Sequence, residues 1–360
     1  MSNPDELDKL RSAIDAIDRD LLDRISRRAE LAARVAEVKR GQGETFFYRP
    51  EREAQVLRQV QAANPGPLSD ATVAHLFREI MSACLALEQP LQVAFLGPRG
   101  TYTEAAAMKH FGAGVELVAL GSIDEVFREV NAAAAQYGVV PIENSTEGVV
   151  THTLDQFMNS PLKVCGEIKL PIHHCLMSRA TDVAGVREVY AHQQALAQCR
   201  AWLVEHLPGV RTVAVASNAE AARLATEVDG AAAIAGERAA GLYELRILAR
   251  NIEDDGGNTT RFLVIGQHEA PPSGRDKTSV MVSAHNRAGA LVELLAPLAE
   301  HRVSMTRIES RPSRKAAWEY VFFVDIEGHA AESNVAAALA ELARRANLFK
   351  SLGSYPVAAF

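Results

Sequence analysis

Two stretches of this chain hold residues whose types and spacing can do chemistry. In the first, Gly256-Gly257-Asn258-Thr259-Thr260-Arg261-Phe262 runs into the apolar Leu263-Val264-Ile265. Two glycines can turn sharply or let a ligand approach the backbone, and an amide and two hydroxyls follow at the mouth of a strand. These are neutral hydrogen-bond donors, able to orient or polarise a bound group. In the second stretch, Arg28 and Lys39 are eleven residues apart. On a helix that spacing returns to nearly the same face about 16 Å along the axis, so the two long side chains can reach one small dianion between them. Arg11 lies about 25 Å from Arg28 and roughly 100° round the cylinder, so it can join that site only from a second subunit.

The elements that must position these residues follow from periodicity. Leu7, Leu10, Ile14, Ile17, Leu21, Ile25, Leu31, Val35 and Val38 recur at helical intervals without an internal Gly or Pro. One long helix is expected, ended by Gly41-Gln42-Gly43. Pro50 opens a second helix, and Ser69 or Asp70 caps a third that reaches Glu88. Two shorter helices cannot cover the whole of the first, so it is expected to pair with another chain. At 360 residues the chain exceeds one ordinary core, and two or three domains are expected. The 38 Lys and Arg against 45 Asp and Glu argue against a nucleic-acid partner. No apolar run spans a bilayer and the polar N-terminus has no signal-peptide core, so a cytoplasmic protein with no membrane partner is expected. Cys84, Cys165, Cys175 and Cys199 form no Cys-x-x-Cys pair, which argues against a disulfide framework and a zinc site. His173-His174 lies in an apolar run and reads as two strand histidines.

Leu10-Arg11, Arg27-Arg28-Ala29-Glu30-Leu31-Ala32, Lys39 and Tyr48-Arg49-Pro50-Glu51-Arg52-Glu53 resemble the all-helical chorismate mutases. The resemblance implies that Arg28, Lys39, Arg52 and Glu53, with Arg11 of a second subunit, hold chorismate. A Claisen rearrangement needs a compact conformer and positive charge near the ether oxygen rather than a nucleophile. Two positions depart from the best-known members: Cys84 stands where a serine occurs, and Glu88 where a glutamine donates to the ether oxygen. An ionised Glu88 has no proton to donate, so mutase activity is expected to fall as pH rises through its pKa.

After Gln89-Pro90, short apolar runs alternate with helices, which reads as α/β. Helix starts follow several strands and suit carboxylates, although capping alone accounts for Ser217 and Glu220. In order, Gly97-Pro98-x-Gly100-x-Tyr102-x-x-Ala105, Pro141-Ile142-Glu143-Asn144-Ser145, Ala191-His192-x-Gln194 through Gln198-Cys199, and Thr260-Arg261-Phe262 resemble the prephenate dehydratases. The resemblance implies two α/β lobes around a cleft, with the chain returning to its first lobe near Thr260. It implies catalytic roles for Thr260, Asn144 and Gln198, and substrate contacts at Thr101, Thr103, Ser145 and Arg261, the last either for a pyruvyl carboxylate or as packing support. Prephenate loses carbon dioxide and hydroxide as its ring becomes aromatic. A cation on the departing carboxylate would slow that loss, whereas neutral donors orient it without the penalty. Thr260 is expected to hydrogen-bond the leaving hydroxyl, with His192 and Glu143 in structural roles.

Pro271-Pro272-Ser273-Gly274 marks a linker. Beyond it the pattern is βαββαβ, the ferredoxin-like order. Gly289-Ala290-Leu291-Val292 and Glu309-Ser310-Arg311-Pro312 resemble the phenylalanine-binding ACT domain, implying effector contacts at Asn286, Gly289, Ala290, Leu291, Glu309 and Ser310. The expected fold is multidomain: an all-α three-helix domain (1–90), a two-lobed α/β domain like a periplasmic binding protein (91–270) and an α+β ferredoxin-like domain (277–360). Chorismate and prephenate as substrates, phenylalanine as effector and a homodimer or higher homo-oligomer are expected, with no cofactor and no metal. The alternative is a non-catalytic cytoplasmic amino-acid-binding sensor with a helical dimerisation segment.

Overall fold

A computed structural model describes residues 4–43, 48–284, 287–313 and 320–358, which divide into two compact units. The helical elements are α1 (Pro4–Gly41), α2 (Pro50–Ala62) and α3 (Asp70–Glu88). In the first unit α1 packs on α3, whose start is capped by Ser69 accepting from the Thr72 amide at 3.2 Å. Leu10, Ile14, Ile17 and Leu21 of α1 are each more than half exposed. A stripe of that size on one helix face lacks its cover within the single chain.

The second unit opens with β1 (Gln92–Leu96), α4 (Tyr102–Phe111), β2 (Glu116–Leu120), α5 (Ile123–Asn131), β3 (Tyr137–Asn144), β4 (Gly148–Val149), α6 (Thr151–Asn159) and β5 (Lys163–Pro171). The chain then crosses to a second lobe made of β6 (Cys175–Ser178), β7 (Glu188–His192), α7 (Gln193–Gln198), α8 (Arg200–His206), β8 (Arg211–Val215), α9 (Asn218–Glu227), β9 (Ala231–Ala235), α10 (Glu237–Leu242) and β10 (Arg246–Ala249). It returns as β11 (Thr259–Gly266), which enters the first lobe's sheet between β3 and β5, in the order β2-β1-β3-β11-β5. The second sheet runs β10-β6-β9-β7-β8. Its central strand is Ala-Ala-Ala-Ile-Ala, buried throughout, and the alanines of α9 pack against it without exposure. Small side chains on both elements let helix and sheet approach closely.

The C-terminal part consists of β12 (Asp276–Ser283), α11 (Ala290–Glu300), β13 (Met305–Pro312), β14 (Tyr320–Glu327), α12 (Ser333–Arg345) and β15 (Leu348–Pro356), an antiparallel sheet in the order β13-β14-β12-β15. Its strands alternate in the manner of a sheet covered on both faces. Val280, Val282, Val324 and Ile326 join the core with α11 and α12, whereas Met281, Val321, Phe323 and Tyr355 join the core of the first lobe. At the seam, Gly353 has φ +123°. A Cβ there would stand 2.6 Å from the Val164 carbonyl oxygen. Gly353→Ala is therefore expected to lower stability by about 1–3 kcal/mol through overpacking. A thermal melt checks this, and a parent-like midpoint would deny the close approach of β15 to β5.

Candidate active site

A cleft of about 650 Å³ lies between the two α/β lobes. Its wall takes Gly97, Thr101 and Thr103 from the β1–α4 turn, Asn144 from the end of β3, and Thr260 and Phe262 from β11. The second lobe adds His192, Gln198, Ser217 and Asn218. Among the described lining residues Glu147 supplies the one carboxylate, and there is no lysine or arginine. Gly97 is required by its neighbours, because a Cβ would lie 3.0 Å from that of Ala119.

The polar groups form one chain of directed hydrogen bonds. The amides of Thr146 and Glu147 both donate to Asn144 Oδ1 at 3.0 Å, which fixes that side chain's orientation. Asn144 Nδ2 must then donate outward, and it does so to Thr260 Oγ1 and to Asn258 Oδ1, each at 2.7 Å. Because Thr260 accepts from Asn144, its own hydroxyl proton is left for another acceptor. Asn258 Nδ2 continues the chain to Gln198 Oε1 at 3.3 Å, where His174 Nε2 also meets it at 2.9 Å. Gln198 Nε2 lies 3.5 Å from Glu147 Oε1. Tyr102 closes the chain against His174 Nδ1 at 2.9 Å. Burial pushes His174 below the ordinary histidine value and Tyr102 well above that of a free phenol. A neutral imidazole carrying its proton on Nε2 donates to Gln198, while the one proton of the Tyr102 hydroxyl is shared between the His173 carbonyl oxygen at 2.8 Å and His174 Nδ1.

The structure brings together Thr260, Asn144, Gln198, Thr101 and Thr103, while Ser145 supports from the side by accepting from the Thr259 amide at 2.9 Å. Two expectations, for Arg261 and for the histidine pair, are corrected. Arg261 does not line the cleft. It projects from the opposite face of the sheet, buried, with Nε on Glu167 at 2.9 Å, one terminal nitrogen on Asp325 at 2.7 Å and the other on the Tyr355 hydroxyl at 3.0 Å. Neighbouring residues of a strand face opposite ways, so a cleft-facing Thr260 sends Arg261 behind the sheet. Gly256 and Gly257 lie in an exposed turn outside the cleft wall. His173 and His174 belong to the crossing between β5 and β6 and face apart: His173 pairs with Glu253 at 2.7 Å, and His174 enters the cleft. Glu143 and His192 have structural partners. Glu143 lies 2.5 Å from Arg307, and His192 accepts from the Gln194 amide at 3.4 Å to cap α7. His174, Tyr102 and Asn258 complete the polar chain. Of these only the Asn258 amide was legible from the sequence as a hydrogen-bonding group; Tyr102 stood in a family-like motif, and no periodicity separates His174 from His173.

In the helical unit, Lys39 Nζ stands 3.9 Å from Glu88 Oε2, and Cys84 is buried on α3. Burial raises the Glu88 carboxyl above its ordinary value, against the opposing charges of Lys39, Arg28 and Arg40. Its Oε2 is buried with no hydrogen-bond partner. Arg52 and Glu53 lie in the first turns of α2, and Arg11 is exposed on α1 at 3.5 Å from Asp8. In the C-terminal part, Gly289 takes φ +80° at the start of α11, where Ala290 and Leu291 follow, and Glu309 and Ser310 lie on the edge strand β13. Asn286 lies outside the described residues.

Fold and site define a multidomain protein whose two-lobed cleft is lined mainly by neutral donors. Family models match for chorismate mutase type II at residues 10–89, prephenate dehydratase at 93–270 and the ACT domain at 278–344. A bifunctional chorismate mutase/prephenate dehydratase of Pseudomonas aeruginosa is 52% identical across 99% of this chain and 100% of its own, and one of Neisseria gonorrhoeae is 51% identical across 97% and 96%. Among solved structures, a prephenate dehydratase from Arthrobacter aurescens in complex with L-Phe superposes with a TM-score of 0.69 at 37% identity, covering 74% of this chain and 90% of that one. The chain belongs to the bifunctional chorismate mutase/prephenate dehydratase family. It is an enzyme with both activities, isomerising chorismate to prephenate and converting prephenate to phenylpyruvate. Asn144→Asp keeps the acceptor of the two backbone amides and removes the donor to Thr260. It is expected to lower dehydratase turnover by about 10²-fold, the scale of losing one aligned donor, and to spare the mutase. Phenylpyruvate formation, followed by its ultraviolet absorbance against a no-enzyme blank, is the measurement.

Proposed function

We propose that Thr260, held by Asn144, donates a hydrogen bond to the leaving hydroxyl of prephenate while the neutral wall of the cleft orients the departing carboxylate. The bond from the ring to that carboxylate breaks to give carbon dioxide. Its electron pair moves through the diene and expels hydroxide, which takes a proton to leave as water. Carried by the 2.7 Å bond from Asn144 Nδ2 to Thr260 Oγ1, this reading leaves the Thr260 proton pointing at substrate. A threonine hydroxyl is a feeble acid, so its part is polarisation, with the proton drawn from water. Gln198 and Ser145 keep the network aligned from either side. The retained pyruvyl carboxylate is assigned to the amides at the start of α4, beside Thr101 and Thr103, in place of Arg261.

For the mutase, Arg28, Lys39, Arg52 and Glu53, with Arg11 of a second copy, hold chorismate, and a protonated Glu88 donates to the ether oxygen beside Cys84. The exposed apolar face of α1 supports pairing with a second copy, because Leu10, Ile14, Ile17 and Leu21 would be covered by it. We assign the domains to 1–90, 91–270 and 277–360, in keeping with the family-model spans. Phenylalanine is the proposed effector, at Gly289, Ala290, Leu291, Glu309 and Ser310, together with Asn286. The related structure with bound L-Phe supports this. Inhibition requires that phenylalanine bind an inactive arrangement better than the active one. The four cysteines are buried and free, which supports a reducing, cytoplasmic setting.

Two variants test the two sites. Thr260→Val is expected to lower dehydratase turnover by about 10²–10³-fold with the mutase intact; a loss of only a few per cent would remove Thr260 from the chemistry. For the mutase the sign follows from the raised Glu88 carboxyl. Protonated below its pKa, it can donate there; ionised above, it cannot, so mutase turnover falls as pH rises. Glu88→Gln keeps a donor at every pH and should flatten the profile, and a variant that retains the parent's pH dependence would assign that dependence to another group.

A further inference from the structure

We propose that Arg261 is a positioning residue of the dehydratase: from behind the sheet it holds Thr260 opposite Asn144, and so makes the C-terminal sheet part of what keeps the cleft aligned. The proposal rests on the reading of Thr260 as the donor to substrate. Its basis is the pairing of β3 with β11, in which Thr260 is opposite Asn144 and Arg261 is opposite Glu143. The two cleft-facing donors are therefore each followed or preceded by a charged residue on the reverse face. The ladder with β3 shifts register between Arg261 and Phe262. Such an irregularity weakens the hold of β3 on this end of β11, where regular pairing continues on the β5 side and the side chains of the reverse face add to it.

The anchors come largely from the C-terminal sheet. Arg261 donates to Asp325 of β14 and Tyr355 of β15, and to Glu167 of the neighbouring β5. Asp325 and Tyr355 are in turn bridged by Ser279 of β12, at 2.5 Å and 2.8 Å. Lys277 of β12 meets Glu167 at 3.0 Å, and Arg307 of β13 meets Glu143 at 2.5 Å. Three strands of that sheet, β13, β14 and β15, thus reach the backs of β3 and β11 directly, and β12 braces them through Glu167, Asp325 and Tyr355. A planar guanidinium fixes its partners in a fork that an ammonium cannot reproduce. A shift of the C-terminal sheet must therefore be felt at the Asn144–Thr260 bond.

The experiment uses the full-length enzyme carrying Asp325→Asn, Arg261→Lys, or Arg261→Gln with Asp325→Asn. None of these residues lines the cleft. Steady-state dehydratase kcat and KM are measured beside mutase turnover, with limited proteolysis to report the folding of the C-terminal part. The expected result is a kcat roughly 10- to 100-fold lower at nearly unchanged KM, since a 1 Å misplacement can cost about 10²-fold. Mutase turnover and protease resistance stay at the parent level, and the double variant is no worse than the poorer single one. Parent-like kcat in both single variants overturns the proposal. A raised KM alone also overturns it, because it would put Arg261 on the substrate, and so does a kcat loss that appears only with loss of protease resistance. Thr260→Val separates the two claims: if it is crippled while Asp325→Asn is normal, the donor stands and the coupling fails, and if it is normal, the reading of the site itself fails.

Discussion

The antiparallel pairing of β3 with β11 is the constraint on which the catalytic part depends. It places Thr260 beside Asn144, 116 positions earlier in the chain, after an excursion through a whole second lobe. Because β11 lies between β3 and β5, its register is held from both sides over most of its length. The strand period of two then sorts chemistry by face: neutral donors open on the cleft, and charges stand behind it. Had β11 slipped by one residue, Arg261 would face the cleft and Thr260 would be buried behind the sheet.

Much of this was legible in the sequence because local patterns carried it. The glycine- and proline-poor run of α1, the alternation of strands and helices, and the βαββαβ order of the C-terminal part all reappear in the structure. Thr260, Asn144 and Gln198, which the resemblance singled out, share one network. The capping reading of Ser217 also holds, its hydroxyl accepting from the Glu220 amide at 3.0 Å. These features depend on a few neighbouring residues, or on motifs whose order along the chain matches that of a family.

What the sequence hid depends on partners far along the chain. A cation next to a catalytic threonine invites assignment to a substrate carboxylate. Strand alternation turns Arg261 away from Thr260, and the docking of the C-terminal sheet shows what waits on the reverse side. His174 was concealed for a different reason. It lies where the chain crosses between lobes, outside any regular element, and its orientation is set by Glu253 accepting from its backbone amide at 2.8 Å. Gly256 and Gly257 make the sharp turn before a strand that glycine permits, and that use needs no further reason.

The two chemistries ask for opposite electrostatics, and the chain keeps them in different surroundings. Chorismate retains both carboxylates through its rearrangement, so Arg28 and Lys39 can hold them without opposing any bond cleavage. Prephenate must release one carboxylate as neutral carbon dioxide, and a cation in contact with it would hold the charge that has to disperse. The reverse face of the sheet shows how cations are kept near such a cleft without acting on it. Arg261, Lys277 and Arg307 are matched there by Glu167, Asp325 and Glu143. Three charges of each sign within ion-pair distance cancel over a short range, whereas stranding one of them would leave a buried charge costing about 3–5 kcal/mol. Neutralised in this way, the cluster can fix the backbone of the catalytic strands firmly while contributing little net field to the cleft in front of it.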